Sequence, residues 1–322
     1  MRYADLAGQQ VSVVGLGTWQ FGSRGWGWGR DFGPADANAI VARALALGVN
    51  LFDTAEVYAA GESERVLGAA LRAAPASGHE PFIATKVWPT RVLARQVRAA
   101  AARSLARLGV ERVGLYQVHW PNPLAPIGPV MAGMRTLLDE GRIGAVGVSN
   151  FSLARLKRAE AALGSPVISN QVSYSLLHRD PERELVSFAQ TVGRTVIAYS
   201  PLAQGLLSGR YGPDGARPGG YRRANRLFAT GNLRRASPVL DALVQVAAAH
   251  GATPAQVALA WVLRQPGVIV ISGAKSVRHM EENAAAADIT LRADEVAGLE
   301  EAAAAFRPVL GLRALAARLL NR

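Results

Sequence analysis

Cysteine is absent from the 322 residues, which excludes disulfides, thiolate nucleophiles and Cys-ligated metals and suits a reducing compartment. Lysine is nearly absent as well. Of 36 basic residues only Lys86, Lys157 and Lys275 are lysines, so each raises the question of what arginine could not do there. Lysine can shed its proton and acts as a point charge, whereas arginine does neither. Lys86 and Lys275 are therefore candidates for chemistry, while Lys157, in the helical pattern LARLKRAEAAL, reads as solvated. No apolar run approaches the ~20 residues that span a bilayer, and Met1 is followed by no charged, apolar and cleavable leader pattern. A soluble, cytoplasmic protein without membrane insertion is the expectation. The net charge of +12 is spread along the chain without interleaved aromatics on one stripe, which argues against nucleic acid as a partner.

What the chain does have is alternation. Short β-branched runs at Val11 to Leu16, Val49 to Asp53, Phe82 to Lys86, Val113 to His119, Ala145 to Ser149, Val167 to Gln171, Thr195 to Ser200 and Val268 to Ser272 read as strands. Between them, helical periodicity covers 36–47, 62–72, 92–108, 128–140, 152–163, 181–190 and 254–264. Repeated βα units of this kind predict a parallel sheet, closed as a single-domain (β/α)8 TIM barrel over 1–322, with an open doubly wound sheet as the alternative. The Gly-rich fingerprint of the open dinucleotide fold is missing: GLGTWQFG at 15–22 lacks its spacing and precedes no helical pattern. One connection breaks the rhythm. Residues 201–235, rich in Gly and Arg, form a loop long enough to be a strap over an anionic ligand, unless they are simply a solvated basic surface.

In a parallel barrel the C-terminal strand ends share one mouth, and here they are polar. Strand two ends in Asp53 with Tyr58 just beyond, strand three in Lys86, strand four in His119, strand five in Ser149 and Asn150, strand six in Asn170 and Gln171, strand seven in Tyr199 and Ser200. Singly, each has a bland explanation, as a cap, a core histidine or a packed phenol. Jointly, four titratable groups from three consecutive strands predict a pocket. An ammonium at Lys86 is expected to favour the Tyr58 phenolate and lower its pKa, with Asp53 as the counter-ion that keeps the lysine charged. His119 is then free to hydrogen-bond a carbonyl or assist a proton relay. The set lacks a nucleophile paired with a base and lacks a metal cluster; it suits giving a proton to a carbonyl oxygen.

The segments GVNLFDTAEVY, IATKVW, LYQVHWP, GVSNF, SNQVSYSLL, AYSPLAQGLLSGRY and SGAKSVRHMEEN resemble, in order, the successive motifs of the aldo-keto reductases. The resemblance implies an NADPH-dependent oxidoreductase acting on a small-molecule aldehyde or ketone, with Tyr58 as general acid and Asp53, Lys86 and His119 as its partners. It implies cofactor contacts from Gly17, Thr18, Trp19 and Asp53, from Ser149, Asn150 and Gln171 at the carboxamide, and from Tyr199 stacked on the nicotinamide. Ser200, Leu202, Gly205 and Arg210 would meet the pyrophosphate, Gly273 and Lys275 the ribose phosphate, and Glu282 and Asn283 the adenine. A lysine at position 275 favours NADP over NAD. His279 departs from the family's usual Arg or Gln, which weakens the expected clamp and leaves NADH as the secondary cofactor, with Arg278 the compensating candidate. Trp19, Tyr58, Trp88, His119 and Trp120 are the expected substrate pocket. The same motifs also resemble the branch that serves as potassium channel β subunits, which is the alternative: a cofactor-binding interaction protein with little turnover. Finally, leucines and arginines at helical spacing predict an amphipathic helix over 309–322, packed on the barrel or a second subunit, with an anionic membrane surface as the alternative.

Overall fold

The computed structural model describes residues 1–213, 215–216 and 218–309, so all but the first residue of the expected C-terminal helix lies outside the described residues. Eight parallel strands close into a barrel in chain order: β3 (Val14–Gly17), β4 (Leu51–Asp53), β5 (Phe82–Val87), β6 (Val113–Val118), β7 (Ile143–Ser149), β8 (Ser169–Ser173), β9 (Thr195–Tyr199) and β10 (Val268–Gly273). The last strand pairs with both β9 and β3, so the barrel has no free edge. Ahead of it, β1 (Tyr3–Leu6) and β2 (Gln9–Ser12) make an antiparallel hairpin.

The expected first strand, Val11 to Leu16, is therefore two elements. Its first half pairs with β1 and its second half enters the barrel. The break lies at Val13, where the amide bonds back to Arg2 O at 3.0 Å while the carbonyl accepts from Val270 at 2.9 Å. Ser12 and Asn50 lock this corner: the Ser12 amide donates to Asn50 Oδ1 at 2.7 Å, and Ser12 Oγ accepts from the Asn50 amide at 3.1 Å. The hairpin buries Leu6 and Val11 in the cluster that also holds Leu51, Phe82 and Leu115, and so forms part of the barrel's packed interior.

Around the strands run α1 (Pro34–Ala46), α2 (Glu62–Ala73), α3 (Ala94–Leu108), α4 (Gly128–Asp139), α5 (Leu153–Leu163), α6 (Leu185–Thr191), α7 (Thr230–Ala249), α8 (Pro254–Leu263), α9 (Val277–Ala285) and α10 (Ala293–Ala304). Two departures from the sequence reading stand out. The helix expected over 181–190 begins as a 3-10 turn, Asp180–Arg183, and breaks at Glu184 (φ −136°) before α6. In addition, α7 begins inside the expected long loop. Gly231 and Pro238 disguise it, yet buried Leu233, Ala236, Leu240, Leu243 and Ala247 recur at helical spacing on one face. The true connection after β9 is thus shorter and carries the 3-10 turns Ala203–Ser208, Gly220–Ala224 and Arg226–Phe228.

Strand alternation sets what faces where. Successive side chains point to opposite faces, so Phe82, Ala84 and Lys86 share one side of β5 and Ile83, Thr85 and Val87 the other. Phe82, Ala84, Leu51 and Leu115 belong to the inner cluster, whereas Ile83, Phe52, Tyr116 and Val118 pack with Val97 and Ala100 of α3. Two residues farther along the inner rows come Asp53, Lys86 and Gln117, at the barrel's C-terminal end.

Candidate active site

Continuing those inner rows upward changes the filling from apolar to charged. Lys86, fully buried, donates to Asp53 Oδ1 at 2.5 Å and to Thr54 O at 2.8 Å, and lies 3.3 Å from the Tyr58 hydroxyl. The other carboxylate oxygen, Asp53 Oδ2, accepts from Gln171 Nε2 at 2.8 Å and from Gln117 Nε2 at 3.3 Å. The Tyr58 ring meets His119 edge-on at 5.5 Å, and Trp88 also meets His119 edge-on at 5.3 Å. The four groups expected to converge are thus together. Gln117 joins them without having been singled out, although its place one inward step below His119 was the available signal.

Electrostatics reverse one expectation. The Tyr58 phenol is raised well above its ordinary pKa, first by burial and then by the Asp53 carboxylate. The nearby ammonium does not bring it down, because its charge is held by Asp53. Burial lowers Lys86, and the Asp53 and Glu64 carboxylates oppose that shift. His119 is pushed down to about 2 by burial and then by Lys86, so its imidazole is neutral at physiological pH. Its Nδ1 is buried with no hydrogen-bond partner among the described residues.

The loop that carries Tyr58 is held from outside the barrel. Ala59, Ala60 and Gly61 take φ values of +47°, +55° and +87° in succession, a conformation that L-residues rarely adopt. Gly61 has no room for a Cβ, which would sit 2.7 Å from the Arg107 side chain. One turn later Glu64, fully buried, accepts from Thr85 Oγ1 at 2.7 Å and from Arg107 Nε at 2.6 Å. That pair ties the start of α2 to the residue before Lys86. Glu62 and Glu64 both lie in the first turn of α2, where carboxylates suit the N-terminal end, but Glu64 is also a buried anchor. Glu56 adds a second tie, accepting the Trp88 amide at 2.8 Å.

The remaining predicted positions line one side of the mouth. Ser149 donates to Gln171 O at 2.8 Å, Asn150 (φ +63°) donates to Ser149 Oγ at 3.0 Å, and Tyr199 donates to Asn150 Oδ1 at 2.9 Å. Thr18 is spent on structure, donating to Asp53 O at 3.0 Å. Gly17 ends β3 beside Gly273 of β10. Ser200, Leu202 and Gly205 lie on the turn after β9, where Ser200 and Gly205 have φ of +51° and +95°. Arg210, Arg222 and Lys275 face one another. Burial lowers both Arg222 and Lys275, and Arg210 lowers both further, while Arg222 adds to the shift on Lys275. Crowded cations of this kind fit an anionic group between them. Lys275 donates to Trp26 O, and Asn283 Nδ2 lies 3.4 Å from Gly273 O. His279 is lowered by partial burial, with Glu282 opposing and Arg210, Arg278 and Lys275 adding to the shift. Arg278 pairs with Glu282 at 2.8 Å with most of its side chain exposed.

Aromatics close the mouth. Trp19 stacks on Tyr221 at 6.3 Å and meets Trp26 at 5.0 Å and Tyr58 at 6.3 Å, and Arg222 covers the Trp26 ring at 4.6 Å. Trp26, Tyr221 and Arg222 were not among the predicted site residues. The contacts that join Trp19 and Trp26 to Tyr221 and Arg222 span nearly 200 positions or more, so no local pattern announces them. Trp120, expected beside Trp88 in the substrate pocket, shares with it a cavity walled mainly by the loops after β5 and β6 and by the starts of α4 and α5.

The sequence matches the profile of the Aldo/keto reductase family over residues 13–304. An uncharacterized oxidoreductase of Mycobacterium tuberculosis is 54% identical over 310 residues, covering 96% of this chain and 95% of the relative. Among solved structures, a glycerol dehydrogenase from Gluconobacter oxydans superposes with a TM-score of 0.85 at 28% identity, covering 95% and 97% of the two chains. An aldo-keto reductase from Klebsiella pneumoniae in complex with NADPH superposes with a TM-score of 0.75 at 29% identity, covering 93% and 94%.

Proposed function

The chain belongs to the aldo/keto reductase family, and we propose that it reduces the carbonyl group of an aldehyde or ketone with NADPH, Tyr58 delivering the proton. The observation that carries this reading is the Tyr58 hydroxyl 3.3 Å from a buried ammonium that is itself 2.5 Å from Asp53, beside a neutral histidine.

The residues fit the cofactor. Arg210, Arg222 and Lys275 bring three cations together, with Asp31 the one acid among the described residues that opposes the shift on Lys275, which suits the phosphates, and Lys275 favours a 2′-phosphate over a free hydroxyl. Tyr199 presents a ring at the mouth, and Asn150 and Ser149 present amide and hydroxyl groups beside it. When bound, the reduced nicotinamide supplies the hydride that no side chain can.

The chain's own residues manage the proton. Tyr58 keeps its proton in the resting site because burial and Asp53 disfavour the phenolate. As the carbonyl carbon gains hydride its oxygen gains charge and takes the Tyr58 proton, leaving a phenolate to which Lys86 Nζ, 3.3 Å away, is placed to donate a hydrogen bond. Asp53 holds Lys86 in place and charged. Neutral His119 orients the carbonyl by hydrogen bonding and, with Trp19 and Trp88, excludes water.

The test is the rate of NADPH oxidation over a panel of aliphatic and aromatic aldehydes. Tyr58→Phe is expected to lose roughly 100- to 10,000-fold in turnover, the usual contribution of a positioned acid, with NADPH binding by fluorescence retained. Equal rates in the two proteins would overturn the proposal and leave a cofactor-binding interaction protein as the better reading.

A further inference from the structure

Outside the barrel wall, where the loops after β5 and β6 meet the starts of α4 and α5, lies a cavity of about 390 Å³. That volume falls within the ~300–1,000 Å³ of small-molecule sites. Val87 and Val118 line it from the outer face of their strands, whereas Lys86 and His119 lie on the inner rows, so the barrel wall separates it from the proton-transfer groups. Most of its lining is apolar and includes Trp88, Trp120, Ile127 and Phe151.

Three arginines complete it. Arg91 is engaged, 3.6 Å from Glu56. Arg155 and Arg158, three positions apart in α5 and so on neighbouring faces, make no ion pair with any acid among the described residues. Apolar walls with two uncommitted guanidinium groups recognise one chemical type: an apolar body that ends in a planar or branched anion. We propose that this cavity binds an amphipathic organic anion, a carboxylate on an apolar body, at a site distinct from the carbonyl site. Trp88 connects the two regions, lining the cavity while packing at 5.3 Å against His119.

The proposal does not depend on turnover, so it is tested by binding. Isothermal titration of the full chain with sodium decanoate is expected to give saturable binding in the submillimolar range. Arg155→Ala/Arg158→Ala should weaken it about tenfold or more, the worth of a lost charge-assisted contact. Decanamide, which lacks the charge, should bind wild-type protein at least tenfold more weakly than decanoate. Ile127→Trp, which fills the chamber, should abolish binding. Circular dichroism checks that each variant folds, and if Ile127→Trp does not, the arginine variant and the decanamide comparison still decide. Affinity unchanged by the arginine substitutions, equal binding of decanamide, or no saturation at millimolar decanoate would each overturn the proposal.

Discussion

Replacing Asp53 by Asn keeps the shape of the site but removes the charge opposite Lys86, and the buried pair then predicts a large loss with a distinctive pH dependence. In the native protein Lys86 has no exposed surface and holds Asp53 Oδ1 at 2.5 Å. At an effective dielectric near 20, the attraction at that distance is about 6 to 7 kcal/mol, most of it offsetting the cost of taking both charges out of water. Removing one partner of such a pair costs about 3 to 5 kcal/mol, because the other charge stays buried. The lysine has an escape, which is to release its proton. Doing so at pH 7 from an ordinary value of 10.5 costs about 1.4 kcal/mol per unit, or about 5 kcal/mol in all, which caps the penalty. The sign of the pH dependence follows. Because the two costs are comparable at pH 7, folded Asp53→Asn sheds the lysine proton as pH rises above 7 while the unfolded chain keeps it up to pH 10.5, so the unfolded state then binds more protons. Stability of the variant, relative to wild type, therefore rises with pH by about 1.4 kcal/mol per unit. Urea unfolding at pH 7, 8 and 9 reads both quantities. Adding Lys86→Met should recover much of the loss, since no charge is then left behind. A deficit below about 1 kcal/mol at pH 7, or one equal at every pH, would refute the account of a tightly coupled buried pair.

Two further perturbations probe separate parts of the mouth. His119, held neutral with a pKa of about 2 against 6.5 unfolded, contributes stability that is intact above pH 6.5 and falls by about 1.4 kcal/mol per unit as acid charges the unfolded imidazole. His119→Asn should flatten the fall in urea midpoint between pH 6.5 and 5, and an unchanged slope would mean the imidazole is not held neutral. Gly220 sits at φ +58° with a Cβ position 2.0 Å from Gly25 O, so Gly220→Ala should push the 220–224 turn off the 24–26 turn. Trypsin cleavage at Arg222 and Arg223 should then quicken several-fold while the barrel's melting temperature stays near wild type, and equal cleavage rates would show that the two turns do not depend on that approach.

What the sequence made legible follows from how far its patterns reach. A strand's two-residue alternation is local, so it was enough to bring Asp53, Lys86 and His119 to one mouth, and the order of eight βα units was enough to close the barrel. Packing across the molecule has no such signature. Nothing near Glu64 reveals that Arg107 will reach it, and nothing near Tyr221 reveals that Trp19 will lie parallel to it at 6.3 Å. The division of the first strand was hidden for the same reason, since the bonds from Ser12 to Asn50 that turn the chain join residues 38 positions apart. The Tyr58 pKa is the instructive case. Its neighbours were identified correctly, yet the shift goes the other way, because a list of neighbours does not say which charge is already neutralised. With Asp53 at 2.5 Å, Lys86 offers the resting phenol little net field, and burial decides. A donor arranged this way keeps its proton while the carbonyl oxygen is neutral and releases it as that oxygen becomes charged, so proton transfer follows the charge that develops in the reaction instead of depending on a phenol acidified in advance.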